Sequence, residues 1–113
     1  MFEEKDKVYI LTWMRTHCSG YAHAMTKENI LRFIMMHERK LRAILSSLKH
    51  DGVICSTSSL GYWYFDIETA THDEIEKAKH SWLEMKSRAM NMLKDCDKQL
   101  DKLNSQPVQM ELL

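Results

Sequence analysis

The stretch from Leu41 to Ile54 reads LRAILSSLKHDGVI and decides the predicted fold. Its apolar residues recur at intervals of three and four, which predicts a helix with one face towards a core. We expect this helix to begin near His37 and to end at Asp51-Gly52, because glycine adopts the left-handed conformation there at low cost. The predicted core-facing residues are Leu41, Ile44, Leu45 and Leu48.

Two helical patterns precede this helix. The apolar and aromatic residues of segment 4–17 cluster at helical spacing. A Ser-Gly pair interrupts that pattern, and residues 21–24 are short enough to form an extended link or a minimal strand. Thr26 then offers a hydroxyl that can cap a second helix. The sequence therefore predicts three helices in its first half.

A hairpin of β-branched and aromatic residues follows the third helix. Residues 53–56 and 61–65 predict two strands around a serine-rich turn. Side chains alternate along a strand, so the two tyrosines of the second strand lie on one face and Trp63 and Phe65 on the other. Because both faces are apolar, we expect an element besides the three helices to cover the second face.

The last third of the chain predicts one long helix. Thr71 and Glu74 form a capping box, in which each side chain satisfies the other's exposed amide. Apolar residues then recur over about 30 residues, about 40 Å of helix, which is longer than one small domain covers. This stripe favours a homodimer, with packing back over the hairpin as the alternative. The predicted dimerisation residues are Ile75, Ala78, Trp82, Met85, Ala89 and Met92.

These patterns predict a mainly α fold with a small β-hairpin. The predicted parts are a domain over residues 1–67, a long helix over residues 71–103 and a flexible tail over residues 104–113. The start of the chain lacks the pattern of a secretory signal, and no apolar run reaches the roughly 20 residues of a membrane span. The three cysteines are isolated and fit neither a disulfide framework nor a metal motif. We expect a protein of the reducing cytoplasm.

Charge is balanced over the whole chain but not along it. There are 16 basic and 16 acidic side chains. Zero net charge argues against a purely electrostatic nucleic-acid binder. Segment 27–50 nevertheless has six basic and two acidic residues. This local excess favours an anionic partner, and a solvated helix face is the alternative interpretation.

The sequence contains no signature of catalysis. A phosphate-binding loop, a nucleophile elbow and a zinc-protease motif are all missing. The six histidines have no ligand-pair spacing, whereas zinc needs about four converging ligands. We therefore expect no enzyme, no metal and no cofactor.

The order helix, helix, helix, glycine, hairpin resembles the winged-helix family over residues 5–67. Segment 41–54 is similar to that family's junction between the third helix and the wing. With its C-terminal helix the chain also resembles small phage or prophage proteins of replication regions. In winged helices the third helix enters the major groove while the hairpin touches the flanking backbone. The resemblance implies DNA contacts by Arg39, Lys40, Arg42, Ser46 and Ser47 of the helix and by Thr57, Ser58 and Ser59 of the wing.

Two functions follow from this resemblance. The first is DNA binding by a homodimer, in a transcription regulator or a replication accessory protein. The second is a protein-interaction module that acts on host replication or transcription machinery without contacting DNA. The wing tip favours the second function, because it has hydroxyls but no Arg or Lys for a phosphate contact.

The last five residues, QMELL, resemble the short peptide with which bacterial replication factors bind the sliding clamp. Such a tail delivers one amide hydrogen bond and a few apolar anchors to a preformed groove. The alternative is an apolar tail that caps its own domain or pairs across a dimer. The implied clamp-binding residues are Gln109, Met110, Leu112 and Leu113.

Overall fold

The structure is a computed structural model that describes residues 2–105. Its elements are α1 (Glu4–His17), a 3-10 turn (Tyr21–His23), α2 (Lys27–Phe33), α3 (Glu38–His50), β1 (Ile54–Thr57), β2 (Gly61–Tyr64) and α4 (His72–Asn104). The predicted fold class, mainly helical with a small hairpin and a long C-terminal helix, is confirmed. The chain divides into two units, residues 1–82 and residues 83–113.

The core of the first unit lies between α1, α2, α3 and the start of the hairpin. The predicted core face of α3 is confirmed, because all four of its residues are at most 1% exposed. His37 caps α3 by accepting the backbone N–H of Arg39 at 3.2 Å. Gly52 follows the helix with φ +80°, as expected for a glycine at this position. The other helices contribute Ile10, Met14, Ile30 and Ile34 to the same core.

The hairpin is antiparallel, with Ile54 opposite Tyr64 and Thr57 opposite Gly61. Strand β2 also pairs on its other side with the link between α1 and α2. Met25 exchanges two backbone hydrogen bonds with Tyr62, at 2.7 and 2.9 Å. This link was predicted to be extended or a minimal strand, and it is instead a 3-10 turn between two single bridges to β2. Those bridges satisfy backbone groups that β2 would otherwise leave unpaired.

The second face of the hairpin is covered by the start of α4. Trp63 is fully buried and forms a cluster with Cys55 and Ala78, against which Phe65 packs. The expectation that a further element covers this face is therefore confirmed. Ala78, one of the predicted dimerisation residues, is covered by the hairpin of its own chain.

One hydroxyl fixes the start of α4 to the hairpin. Ser81 accepts the backbone N–H of Ser56 at 3.2 Å and donates to the carbonyl of Ser56 at 2.6 Å. The predicted capping box is also present, since Thr71 Oγ1 accepts the N–H of Glu74 at 3.2 Å. The Thr71 N–H donates in turn to Glu74 Oε1 at 3.3 Å. The capping box thus fixes where α4 begins, and the Ser81 hydroxyl fixes this part of the helix to β1.

The helical part of the second unit has a different character. Every residue from Lys86 to Asn104 is exposed. Met85 is half-buried. The other large apolar side chains are each more than half exposed, namely Leu83, Met90, Met92, Leu93, Leu100 and Leu103. Among residues 2–105 no helix is both long and apolar enough to cross a membrane.

Candidate nucleic-acid interface

The outer face of α3 presents three of the eight residues predicted to contact DNA. Arg39, Arg42 and Ser46 are exposed. Their spacing of three and four places them along one line of the helix, away from the buried leucine face. Arg39 makes no ion pair within residues 2–105. Its guanidinium is therefore available to an anionic or a hydrogen-bond-accepting partner.

Arg42 shares its anionic partner with a second cation. Glu38 Oε1 lies 3.3 Å from the Arg42 guanidinium and 2.8 Å from Lys27 Nζ. The hydrogen bond from Lys27, helped by both positive charges, lowers the pKa of Glu38. Lys27 also lies 3.9 Å from Glu28, so this cluster pairs two cations with two carboxylates. Arg42 is 65% exposed, so it can exchange this weak pair for another anion.

Lys40 is placed differently from the prediction. Its ammonium lies 3.0 Å from the Asp6 carboxylate on α1. This hydrogen bond, together with one from the backbone of Glu3, lowers the pKa of Asp6. Lys40 therefore holds α3 against α1, and the predicted DNA contact would require this ion pair to open. Asp6 lies on α1, so this pairing depends on how α1 packs against α3 and could not be predicted from the charges along α3 alone.

A polar chain connects α3 to the wing. Lys49 Nζ donates to Ser56 Oγ at 2.8 Å. Ser56 is the residue whose backbone is bound by Ser81 of α4. The prediction of site residues omitted Lys49, Ser56 and Ser81, because nothing local in the sequence pairs them. These hydrogen bonds fix the hairpin to both α3 and the start of α4.

The wing tip offers hydroxyls and one apolar side chain. Thr57 Oγ1 accepts the backbone N–H of Leu60 at 3.2 Å, so this hydroxyl is already engaged within the turn. Ser58 and Ser59 are exposed, and Leu60 is 38% exposed. Ser47, the remaining predicted contact, is half-buried on α3. The two exposed serines are the wing residues best placed to reach a partner.

The end of α2 and the turn that follows it carry exposed apolar residues that the sequence did not indicate. Met35 is fully exposed and Phe33 is 66% exposed. The Phe33 ring lies 6.1 Å from the Trp13 ring, measured between centroids. Arg32 is exposed beside them. These residues precede Arg39 by only a few positions along the chain.

Other predicted sites are not part of this surface. Gln109, Met110, Leu112 and Leu113 lie outside the described residues. Within residues 2–105 no group of three His, Cys, Asp or Glu side chains is arranged to hold a metal ion. The chain matches no family model, no curated protein and no solved structure.

Proposed function

We propose that this protein is a non-enzymatic DNA-binding protein that inserts the outer face of α3 into the major groove of duplex DNA. The observation that carries the proposal is the exposed line of Arg39, Arg42 and Ser46 opposite a fully buried helix face. The major groove is wide enough to admit a helix. Arginine donates two hydrogen bonds to a guanine edge, and serine bonds to any base or phosphate.

The contacts that hold α3 in place support this proposal. Lys40 pairs with Asp6 on α1, and Asp51 at the end of α3 pairs with Lys7 of α1 at 2.6 Å. Lys49 joins the same end of the helix to β1. A surface that is held before binding loses little conformational entropy on binding. The ion pairs of Lys40 and Lys7 therefore serve recognition by positioning the helix.

The wing takes a secondary part in this proposal. Ser58 and Ser59 can donate hydroxyl hydrogen bonds to backbone phosphates, which position a protein on DNA without reading sequence. The tip contains no basic residue. Most of the affinity then comes from α3, and substitutions in the wing are expected to have smaller effects than substitutions in the helix.

The direct test compares arginines that differ only in position. Fluorescence anisotropy with a labelled mixed-sequence duplex at low salt measures binding by the parent, R39A, R42A and R88A proteins. Each variant loses one positive charge, but Arg88 lies on α4, where it pairs with Glu84 at 3.1 Å. We expect R39A and R42A to weaken binding by about 1–3 kcal/mol each and R88A to bind as the parent does. Equal losses in all three variants would contradict a role for α3.

A protein-interaction function is the second candidate. The exposed Met35 and Phe33 and the uncharged wing tip favour it, because a DNA-binding surface is usually polar and basic. In this case the partner is bacterial replication machinery, and the clamp-like tail is a second contact. Both functions suit the cytoplasm, where the free thiols of Cys18, Cys55 and Cys96 remain reduced.

The tail distinguishes a replication role from general gene regulation. A synthetic peptide of residues 104–113 is expected to bind a bacterial sliding clamp with micromolar affinity if the tail is a docking segment. A peptide with Gln109→Ala and Leu112→Ala is the matched control and should not bind. Failure of the parent peptide at high micromolar concentration would remove the clamp as a partner and leave DNA binding by α3 untouched.

A further inference from the structure

The helical residues 83–104 combine a fully polar side with a broad apolar side. Nine positions at the back of the helix are all polar or charged, namely Glu84, Ser87, Arg88, Asn91, Lys94, Asp95, Lys98, Asp101 and Lys102. On the other side Met85 is half-buried, whereas the remaining large apolar side chains are more than half exposed to solvent. Apolar faces this long, about 30 Å of helix, usually mark an interaction surface. We refer to this apolar side as the distal face.

The distal face has the spacing of a coiled-coil seam. Its central positions are Lys86, Ala89, Leu93, Cys96, Leu100 and Leu103, separated by alternating gaps of three and four. This spacing is a heptad repeat, in which two positions of every seven form the two central rows of the seam. One row contains Lys86 and two leucines, and the other contains Ala89, Cys96 and Leu103. Met85, Met90 and Met92 widen the seam on both sides.

Charge permits a second copy of the chain as the occupant. Residues 83–104 contain five basic and four acidic side chains of interspersed sign. Two such helices therefore do not repel one another as two strongly charged helices would. A strongly basic or acidic partner would also gain little from this surface.

Side-chain size decides between the two possible orientations. A parallel pair in register would place Lys86 against Lys86 within the seam and would stack Ala89 on Ala89. Such layers combine repulsion with unfilled space. In an antiparallel pair each residue of one row lies beside a residue of the other row. The two inner layers then each combine one large and one small side chain, and Lys86 lies beside Leu103 at the end of the seam, where its ammonium can reach water.

We propose that residues 83–104 bind a second copy of this chain as an antiparallel coiled coil. Leu93 packs beside the partner's Cys96, and Leu100 packs beside the partner's Ala89. Lys86 extends along the partner's Leu103. This interface differs from the one that the sequence predicted, because it begins beyond Ala78 and uses leucines that the earlier set omitted. It does not depend on DNA binding by α3.

The oligomeric state of the full chain tests the partner. Sedimentation equilibrium at tens of micromolar should give twice the chain mass of 13.4 kDa. Leu93→Lys with Leu100→Lys should give the mass of one chain. Ser87→Lys with Asn91→Lys, which adds the same charge to the polar side, should remain dimeric. Thermal unfolding checks that the first unit stays folded in both variants. A monomeric parent, or a dimer that survives the leucine substitutions, would overturn the proposal.

Disulfide cross-linking tests the orientation in a Cys96→Ser background. Ala89→Cys with Leu100→Cys in one chain should give a covalent dimer under mild oxidation, because the thiol at position 89 of one copy lies beside the thiol at position 100 of the other. Leu100→Cys alone should remain uncross-linked, since in the antiparallel register its copies are far apart along the helix. Cys18 and Cys55 are buried and do not compete. Efficient cross-linking by Leu100→Cys alone would establish a parallel pair and overturn the antiparallel arrangement.

Discussion

The start and the remainder of α4 have the same spacing of apolar residues but different surroundings. Near the start, Ala78 and Ser81 are buried by the hairpin of their own chain. From Lys86 onwards every described residue of the helix is exposed. The periodicity of a helix thus indicates which face requires a partner, and it does not indicate whether that partner belongs to the same chain.

The residues that are buried at the start of α4 explain this difference. The predicted stripe selected Trp82, which is 40% exposed, whereas its neighbour Ser81 is only 3% exposed. A small residue lets the helix approach the hairpin closely, and the Ser81 hydroxyl satisfies the backbone of Ser56. No equivalent backbone contact is present in the described part of the second unit. The distal face therefore remains available to another chain.

The largest expected effect distinguishes two tryptophans of the first unit, one of which is fully buried and the other partly exposed. Trp63→Ala should lower the free energy of unfolding by about 3–5 kcal/mol, because it removes a fully buried indole from the cluster with Cys55 and Ala78. Trp82→Ala, at a partly exposed position, should cost clearly less. Urea unfolding followed by circular dichroism measures both variants. Similar losses would show that Trp63 is not the centre of the contact between hairpin and α4.

Cysteine reactivity gives a second contrast between the two units. Burial raises the pKa of both Cys18 and Cys55 to about 11, whereas Cys96 is exposed. A rise from 9.0 to about 11 lowers the thiolate fraction about a hundredfold near neutral pH. In dilute, monomeric protein, where no second copy covers Cys96, a thiol reagent should therefore modify this one cysteine rapidly in the native state and all three after denaturation. Rapid modification of all three in the native state would contradict the packing of the first unit.

Two glycines with positive φ provide a matched pair for a smaller effect. A Cβ on Gly61 would collide with the backbone carbonyl of Met25, whereas a Cβ on Gly52 would meet no atom within 4 Å. Gly52→Ala should cost only the backbone strain, on the order of 1 kcal/mol. Gly61→Ala should cost more, since it also disrupts the bridge to Met25. Thermal unfolding compares the two variants, and equal costs would argue against that bridge.

The smallest expected effect concerns the ion pair between α1 and α3. The hydrogen bonds from Lys40 and from the backbone of Glu3 lower the pKa of Asp6 in the folded protein. The stabilisation by Asp6 is therefore fully present above its unfolded pKa of about 4 and is lost as the pH falls through the lower folded value. Asp6→Asn should reduce the loss of stability between about pH 4 and pH 2. An unchanged acid profile in urea unfolding would show that this pair contributes nothing measurable.

The helices and the hairpin could be predicted because their signals are local. The leucine face of α3, the cap at Thr26 and the box at Thr71 each depend on residues within one or two turns. Thr26 indeed accepts the N–H of Asn29 at 3.2 Å. The partners of Lys40 and Lys49 are set by tertiary packing, and no local pattern specifies them. The sequence therefore indicated that Arg39 and Arg42 are exposed, but it did not indicate the ion pair of Lys40 with Asp6.

The salt dependence of duplex binding tests the proposed function most directly. When basic side chains bind phosphates they release counterions, so the affinity falls as salt rises. The logarithm of the binding constant falls with the logarithm of the salt concentration, with a slope of about −0.9 for each phosphate neutralised. We expect a clear negative slope for the parent protein, and weaker binding by R39A and R42A at every salt concentration. R88A should follow the parent curve. Unchanged mobility of every duplex at micromolar protein and low salt would contradict DNA binding by α3.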